Sequence, residues 1–297
     1  MTRTESPDGL LIRARQVFDD VAADPDRFRP AAEALVAEAG RARQPEALAV
    51  ALRALAWAER LRLNDRLAIR LLDQACRIAR RHRLADVLAD VLMSRAAVSL
   101  ELGRMLAARK DLRNAAALVT GARTRELNFQ QAILLHNAGQ LADAATIYQR
   151  LLSDPVADPS QKAKSASNLA LIESEQGRYA QALRRLDQAL QAAIEIGPAL
   201  AAAVAESRAW VTVQSGRFAA GMSLFDQATQ ALSAARLPLG DHYHEYADAL
   251  MELRLLPEAA TAARRGMEEF TAAGVPLMAA EAQLRVCLLY TSDAADE

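Results

Sequence analysis

Apolar residues recur along the chain with the spacing of amphipathic α-helices, and tight turns interrupt them at regular intervals. A search for internal repeats aligns six helix-turn-helix corners. Each corner carries a small residue, and successive small residues lie 36 to 40 positions apart: Ala68, Ala108, Ala144, Ala182, Gly221 and Ala259. Such regular spacing predicts an all-α protein in which helix pairs stack side by side.

Each predicted pair follows one physical scheme. A glycine at four corners, at 103, 139, 177 and 216, supplies the left-handed conformation that ends the first helix and reverses the chain. A small residue in the first helix then faces the small residue of the corner, so the two backbones approach closely: Ala96, Ala132, Ala170, Ala209 and Ala247. Two further positions of the second helix are predicted to pack inside the unit and against the next one: Leu72, Leu112, Tyr148, Leu186 and Phe225, then Ala75, Ala115, Leu151, Ala189 and Ala228.

These positions resemble the tetratricopeptide (TPR) repeat, most closely between Ala166 and Ala189. The units are longer than the roughly 34 residues of that repeat, which implies longer helices or connections. The resemblance implies a right-handed α-α superhelix, a TPR-like solenoid of about six to seven helix pairs. We expect residues 1–44 to form a helical cap, with helices at Leu10–Ala22 and Pro30–Ala39, and residues 45–286 to form the array.

Residues 287–297 look like the translation of a sequencing-library adapter, so we interpret them as a non-native scar. The amphipathic run that opens at Pro276 would then be cut at Val286. An unpartnered last helix at Leu277–Val286 is expected to leave apolar surface open.

Composition excludes several classes of function. A formal net charge of -1 disfavours sequence-independent nucleic-acid binding. The first twenty residues contain acidic side chains and no uninterrupted apolar stretch, so we expect neither a signal peptide nor a membrane anchor, and a cytoplasmic location. Cys76 and Cys287 are too few for a disulfide framework, and Cys76 is predicted to be a small buried apolar residue.

No catalytic or metal site is predicted, and no cofactor. None of the four histidines, at 82, 136, 242 and 244, lies beside a nucleophile in a recognisable arrangement. His242 and His244 project about 200° apart on a helix, so they cannot share one ion. The basic run from Arg77 to Arg83 is interpreted as the C-terminal end of a helix, where cations balance the exposed carbonyl groups.

A partner is predicted to bind along the first helices of the units, which line the concave face in TPR proteins. Transferring that offset gives the candidate contact residues: Arg53, Trp57, Met93, Phe129, Ile133, His136, Asn168, Leu171, Glu206, Trp210, His244 and Asp248. Tryptophan and arginine often anchor protein interfaces. An alternative is that Trp57 and Trp210 simply fill gaps between first helices.

Several segments are also similar to the N-terminal repeat region of bacterial CHAT-domain proteins: Ala51–Glu59, Leu92–Ala97, Asn168–Glu173, Ala205–Gln214, Tyr246–Leu250 and Ala273–Arg285. This resemblance implies an interaction or sensor arm for a caspase-like peptidase domain that is missing from this chain. The His and Cys pair of that peptidase has no match here. The sensor arm of a transcriptional regulator and a free-standing scaffold remain alternatives. In each case the expected partner is a protein, a peptide or a downstream domain of the same protein.

Overall fold

Fifteen α-helices and no strand occur within residues 7–21, 25–234 and 237–293, which are the residues that the computed structural model describes. In chain order they are α1 (Pro7–Asp20), α2 (Pro25–Arg41), α3 (Pro45–Leu61), α4 (Asp65–Arg81), α5 (Ala85–Glu101), α6 (Met105–Ala116), α7 (Ala122–Asn137), α8 (Leu141–Ser153), α9 (Pro159–Glu175), α10 (Tyr179–Ile196), α11 (Pro198–Gln214), α12 (Phe218–Ala234), α13 (Gly240–Glu252), α14 (Leu256–Ala272) and α15 (Pro276–Asp293). The predicted all-α fold is confirmed. None of the described helices is both long enough and apolar enough to cross a membrane.

The chain divides into two compact units, Met1–Ile147 and Tyr148–Glu297. In the first unit, α3 packs on α4 and α5 packs on α6. In the second, the pairs are α9 with α10, α11 with α12, and α13 with α14. The helix bounds place every predicted corner between two consecutive helices.

All six corners end the first helix in the same way. One residue adopts a positive φ of 55° to 81°, and the next residue donates its backbone N–H to a carbonyl five positions earlier at 2.7 to 3.3 Å. The donors are Asn64, Arg104, Gln140, Arg178, Arg217 and Leu255. This hydrogen bond is the Schellman motif, which satisfies a carbonyl that the end of a helix leaves unpaired. Each corner therefore reverses the chain without an exposed, unpaired helix end.

Two corners achieve this reversal without glycine. Leu63 has φ 61° and Arg254 has φ 55°, in place of the glycines at the other four corners. A residue with a side chain costs about 1 to 2 kcal/mol in this conformation. The tertiary packing of α3 on α4 and of α13 on α14 holds these two residues there.

Small residues close the helix pairs as predicted. The corner alanines 68, 108, 144, 182 and 259 and the facing alanines 96, 132, 170, 209 and 247 are all 0% exposed. At Gly221 the approach leaves no room for a side chain, because an added Cβ would lie 2.5 Å from Val213 Cγ2 and 2.9 Å from Val213 N. The bulky set is buried too, with Leu72, Tyr148 and Phe225 at 0%. Tight backbone approach is therefore a property of every repeat.

The N-terminal helix pair differs in its bounds from the prediction. The second helix begins at Pro25, where the missing N–H costs no hydrogen bond, and it carries Pro30 in its interior, where one intrahelical hydrogen bond is lost. The first helix ends at Asp20, and the predicted end at Ala22 lies outside the described residues.

Helix α15 continues without a break past Val286 to Asp293 and packs on α14. Leu289 is buried with Leu250 and Ala263, whereas Leu284 and Leu288 are 61% and 55% exposed. An apolar strip on α15 is therefore open, as expected for the last helix of a stack. The non-native origin of residues 287–297 remains a prediction, and residues 294–297 lie outside the described part.

The corner conformation makes a prediction with opposite signs at two glycines. We expect Gly177→Ala to lower the free energy of unfolding by about 1 kcal/mol, because φ is 74° there. Gly40→Ala in α2 is expected to raise it by about 0.5 to 1 kcal/mol, since an alanine is favoured inside a helix. An added Cβ meets nothing within 4 Å at either site, so only the backbone differs. Urea unfolding followed by circular dichroism measures both, and changes of the same sign would contradict this interpretation of the corners.

Candidate functional site

Within each of the two compact units, polar side chains join the first helices of neighbouring helix pairs side by side. Arg53 Nε of α3 donates to Ser94 Oγ of α5 at 2.8 Å, and Arg60 Nε donates to Glu101 at 2.9 Å. In the second unit, Ser167 of α9 donates to Ser207 of α11 at 3.1 Å, and Gln214 of α11 donates to Glu252 of α13. We call the two sets α3, α5, α7 and α9, α11, α13 the first-helix layers. They carry all the candidate contact residues.

Arg53 belongs to an internal network of the first unit. Its guanidinium carbon lies 3.7 Å from the centre of the Phe18 ring, and its Nη1 lies 3.8 Å from Asp90. Burial lowers the pKa of Arg53, and the carboxylate of Asp90 opposes that shift. Asp90 also accepts a hydrogen bond from Arg123 Nε of α7 at 3.0 Å. The network links α1, α3, α5 and α7. The guanidinium group of Arg53 is therefore largely engaged in contacts that stabilise the first unit.

The other candidate contact residues of the first unit differ in exposure. Met93 and Phe129 are only 3% and 8% exposed, which leaves a partner little to touch. Ile133 and His136 are half-buried. Trp57 is also half-buried, with its ring centre 6.0 Å from that of Phe18 and the Arg60 guanidinium 4.4 Å above it. In this unit, only the partly exposed candidate residues therefore offer a partner a surface to contact.

Trp210 is the largest partly exposed side chain in the first-helix layer of the second unit. It packs against one buried cluster that contains Val204 and Val211, and against a second that contains Val213 and Phe225. Leu171 of α9 packs beside the first of these clusters. Cores on both sides therefore fix the indole, while part of its surface remains open to solvent.

Two polar candidates of the second unit have partners inside the protein. Burial raises the pKa of the Tyr148 phenol, and the side chain of Asn168 opposes that rise. Asp248 pairs with Arg285 of α15 at 3.3 Å. These side chains orient their neighbours, and their free hydrogen-bonding capacity for a partner is correspondingly smaller.

Glu206 takes part in a buried chain that the sequence analysis missed. His242 is 1% exposed, with Nδ1 2.6 Å from Glu206 Oε1 and Nε2 2.7 Å from Thr229 Oγ1. His242 therefore contacts a hydroxyl group that spacing along the sequence did not bring beside it. The Thr229 hydroxyl donates to the carbonyl of Phe225 at 3.0 Å, and the ring of His242 is enclosed, so a substrate cannot reach the group. This chain joins α11, α12 and α13 and is structural.

The two neighbouring histidines point to different helices, as their spacing predicts. His242 faces α11 and α12, whereas the His244 ring lies 6.4 Å from that of Phe270 in α14. Burial lowers the pKa of His244, and the charge of Arg285 lowers it further. No group of three metal-binding side chains occurs among the residues whose placement is described.

An acidic group surrounds Glu245 on α13. Part of the Glu245 side chain is exposed, but the surrounding protein removes much of the hydration of its carboxylate, and the carboxylates of Glu206, Asp241 and Asp248 repel its charge. The loss of hydration is the larger cause, and together the two effects raise the pKa of Glu245 to about 8. Three carboxylates, Glu206, Asp241 and Asp248, therefore lie near a carboxyl group that holds its proton up to about pH 8.

Sequence reasoning missed Phe18, Asp90, Arg123 and Glu245. Phe18 lies in α1, outside the repeat, so no repeat offset could have selected it. Asp90, Arg123 and Glu245 lie in first helices, but not at the offset that was transferred from TPR proteins. Their role depends on which neighbour they meet across the layer, and spacing along one helix does not give that.

Solved structures that share this arrangement are helical-repeat proteins. A Rap protein in complex with competence and sporulation factor has 13% identity and a TM-score of 0.58, over 98% of this chain and 100% of that chain. Aspartyl phosphate phosphatase F from Bacillus subtilis has 16% identity and a TM-score of 0.56, over 100% and 83%. A tetratricopeptide repeat protein from Parabacteroides merdae has 14% identity and a TM-score of 0.51, over 86% and 98%.

These likenesses establish the fold, which is a TPR-like helical solenoid. No family model and no curated protein sequence matches the chain. At identities of 13% to 16% the names of the neighbours transfer no activity, including the phosphatase. The function of this chain therefore has to be inferred from its own surface.

The raised pKa of Glu245 predicts how stability changes with pH. In the unfolded chain the carboxyl ionises near pH 4.5, and in the folded chain near pH 8. The folded state therefore binds the extra proton, and stability falls as pH rises from about 4.5 to 8. We expect Glu245→Gln to raise the Tm at pH 8.5 and to leave it nearly unchanged at pH 4.5. The matched control is Glu195→Gln, an exposed carboxylate on α10; an equal effect in both variants, or none at pH 8.5, would contradict the assignment.

Proposed function

We propose that this chain is a protein-interaction module that binds an extended peptide or a partner domain along its first-helix layer, in the concave groove of the solenoid. Trp210 carries the proposal. An indole that two buried clusters hold rigid, and that still exposes part of its ring, has the properties of an interface anchor. A rigid anchor loses little conformational entropy when a partner binds.

The partly exposed apolar side chains extend the proposed contact over several repeats. Trp57, Ile133 and Leu171 are half-buried members of the first-helix layers, like Trp210. In the second unit, Leu171 of α9 and Trp210 of α11 lie on successive first helices, one repeat apart, which suits an extended segment that crosses more than one repeat. The interaction is therefore expected to be distributed, with Trp210 as its strongest point.

The acidic group around Glu245 supports a partner with basic residues near its apolar anchor. Glu245 and Asp241 lie on α13, which follows the Trp210 helix in the array, and both are exposed. A Lys or Arg side chain placed there would offset the repulsion among these carboxylates. A protein partner fits this charge better than a nucleic acid does.

The wider role is drawn from two resemblances. One structural neighbour is a Rap protein complexed with a competence and sporulation factor, so this fold accommodates a bound signalling factor in that protein. The resemblance to CHAT-domain proteins supports a bacterial, cytoplasmic arm that regulates a caspase-like domain. A transcriptional-regulator arm and a free-standing scaffold would use the same surface. The gene sequence beyond Val286 distinguishes them: a caspase-like His and Cys pair, a helix-turn-helix or an early stop.

A fluorescence titration tests the binding surface. Trp57→Phe leaves Trp210 as the single tryptophan, so its emission reports occupation of the layer. Peptides selected against the protein from a random phage-displayed library are titrated in. We expect them to change the Trp210 emission and to be enriched in basic and apolar residues.

Two variants complete that experiment. We expect Trp210→Ala to weaken the selected peptides by a factor of about 30 or more, as for a central anchor, with unchanged helical content. Ile194→Ala removes a 59% exposed side chain on α10 and is the control, with affinity unchanged. Peptides that bind Trp210→Ala as well as the parent would overturn the proposal. A collapse of the Tm in Trp210→Ala would place the indole in the core instead.

A further inference from the structure

A cleft of about 770 Å³ lies in the second unit, between the α9–α10 corner and the α11–α12 corner. Four arginines line it: Arg178, Arg184, Arg208 and Arg217. Asp187 is the single carboxylate among its lining residues. The cleft is built from two corners, helix α10 and Arg208 of α11; Trp210 is not among its lining residues, and the cleft does not depend on the proposed function.

The charges of this cleft are not balanced from within. Asp187 accepts a hydrogen bond from Arg208 Nε at 2.6 Å. Among the described residues, no carboxylate pairs with Arg178, Arg184 or Arg217, and Arg217 reaches only the hydroxyl of Ser215 at 3.3 Å. Three arginines that line one cleft without a carboxylate partner repel one another. This arrangement favours an anion that enters from solvent.

The surroundings make the arrangement more distinctive. Acidic residues outnumber basic ones in the sequence after Arg150, so the basic cleft lies in an acidic part of the chain. Elsewhere in this unit Arg185 is bonded to Glu173 by two hydrogen bonds, at 2.7 and 3.0 Å. Unlike Arg185, the arginines at 178, 184 and 217 have no carboxylate partner among the described residues.

A smaller cleft of the first unit provides a contrast. It measures about 310 Å³ and is lined by Arg95, Arg104 and Lys110, among others. Asp111 and Asp73 also line it, and both accept hydrogen bonds from Arg95, at 2.7 and 2.8 Å. This cleft carries its own counter-charge. Arg104 occupies the same corner position as Arg178 and Arg217, directly after the glycine.

We propose that the four-arginine cleft binds a small, multiply phosphorylated anion. Guanidinium groups bind phosphate oxygens through paired, planar hydrogen bonds, which suits several arginines around one polyphosphate. The volume falls in the range of small-molecule sites. Tyr179 is half-buried and lines the cleft with Leu183, so an apolar group attached to the phosphates has a surface to rest on.

Calorimetric titration of the full chain with sodium tripolyphosphate tests this proposal. We expect one site per chain, with affinity that falls as the salt concentration rises. Arg184→Gln and Arg217→Gln should each weaken binding about tenfold, because each removes charge-assisted hydrogen bonds. Arg104→Gln is the matched control and should leave the affinity unchanged. All three side chains are exposed, so circular dichroism should show no change in folding.

Two further titrants identify the source of the anion. ATP that binds more tightly than tripolyphosphate would assign the Tyr179 wall to a nucleoside, and equal affinities would assign the site to the phosphates alone; both support the proposal. Hexaglutamate that binds more tightly than tripolyphosphate would make the cleft a dock for acidic peptides and would overturn it. No binding of tripolyphosphate, or equal weakening by Arg104→Gln, would also overturn it.

Discussion

The reversal of the chain within each helix pair is the constraint on which the rest of this structure depends. At all six corners a residue with positive φ and a Schellman hydrogen bond end the first helix, and the second helix begins within a few residues. Fully buried alanines, or Gly221, then let the two backbones touch. Equivalent corners and equivalent close contacts are what a stack of helix pairs requires.

The first-helix layers follow from that regularity, and so does the division of labour among their side chains. Residues one repeat apart meet across neighbouring helices, as Arg53 and Ser94 do, or Ser167 and Ser207. Polar groups are mostly used in these internal links, including the enclosed chain from Glu206 through His242 to Thr229. Partly exposed apolar side chains and unneutralised charges are what remain for partners. Trp210 and the arginine cleft are the two clearest examples.

The sequence predicts the fold well because every repeat has small and bulky residues at the same positions. Corners, facing alanines and bulky second-helix positions all recur with one period, and the structure places them as expected. The left-handed conformation of Leu63 and Arg254 could not be predicted in this way, because packing imposes it and no glycine marks it in the sequence. The candidate site is less predictable for the same reason. An offset along one helix selected Met93 and Phe129, but only contacts between helices decide that they are buried.

Hydrogen exchange at the corners tests the central claim most directly. The backbone amides of Asn64, Arg104, Gln140, Arg178, Arg217 and Leu255 lie outside the helices, so without the Schellman bond they would exchange like loop amides. Resolved by NMR or by fragmentation mass spectrometry, all six are predicted to be protected to a similar degree as amides inside the adjoining helices. Exchange at unprotected rates at these six positions would contradict the account, because the helix pairs would then lack the common turn that aligns them.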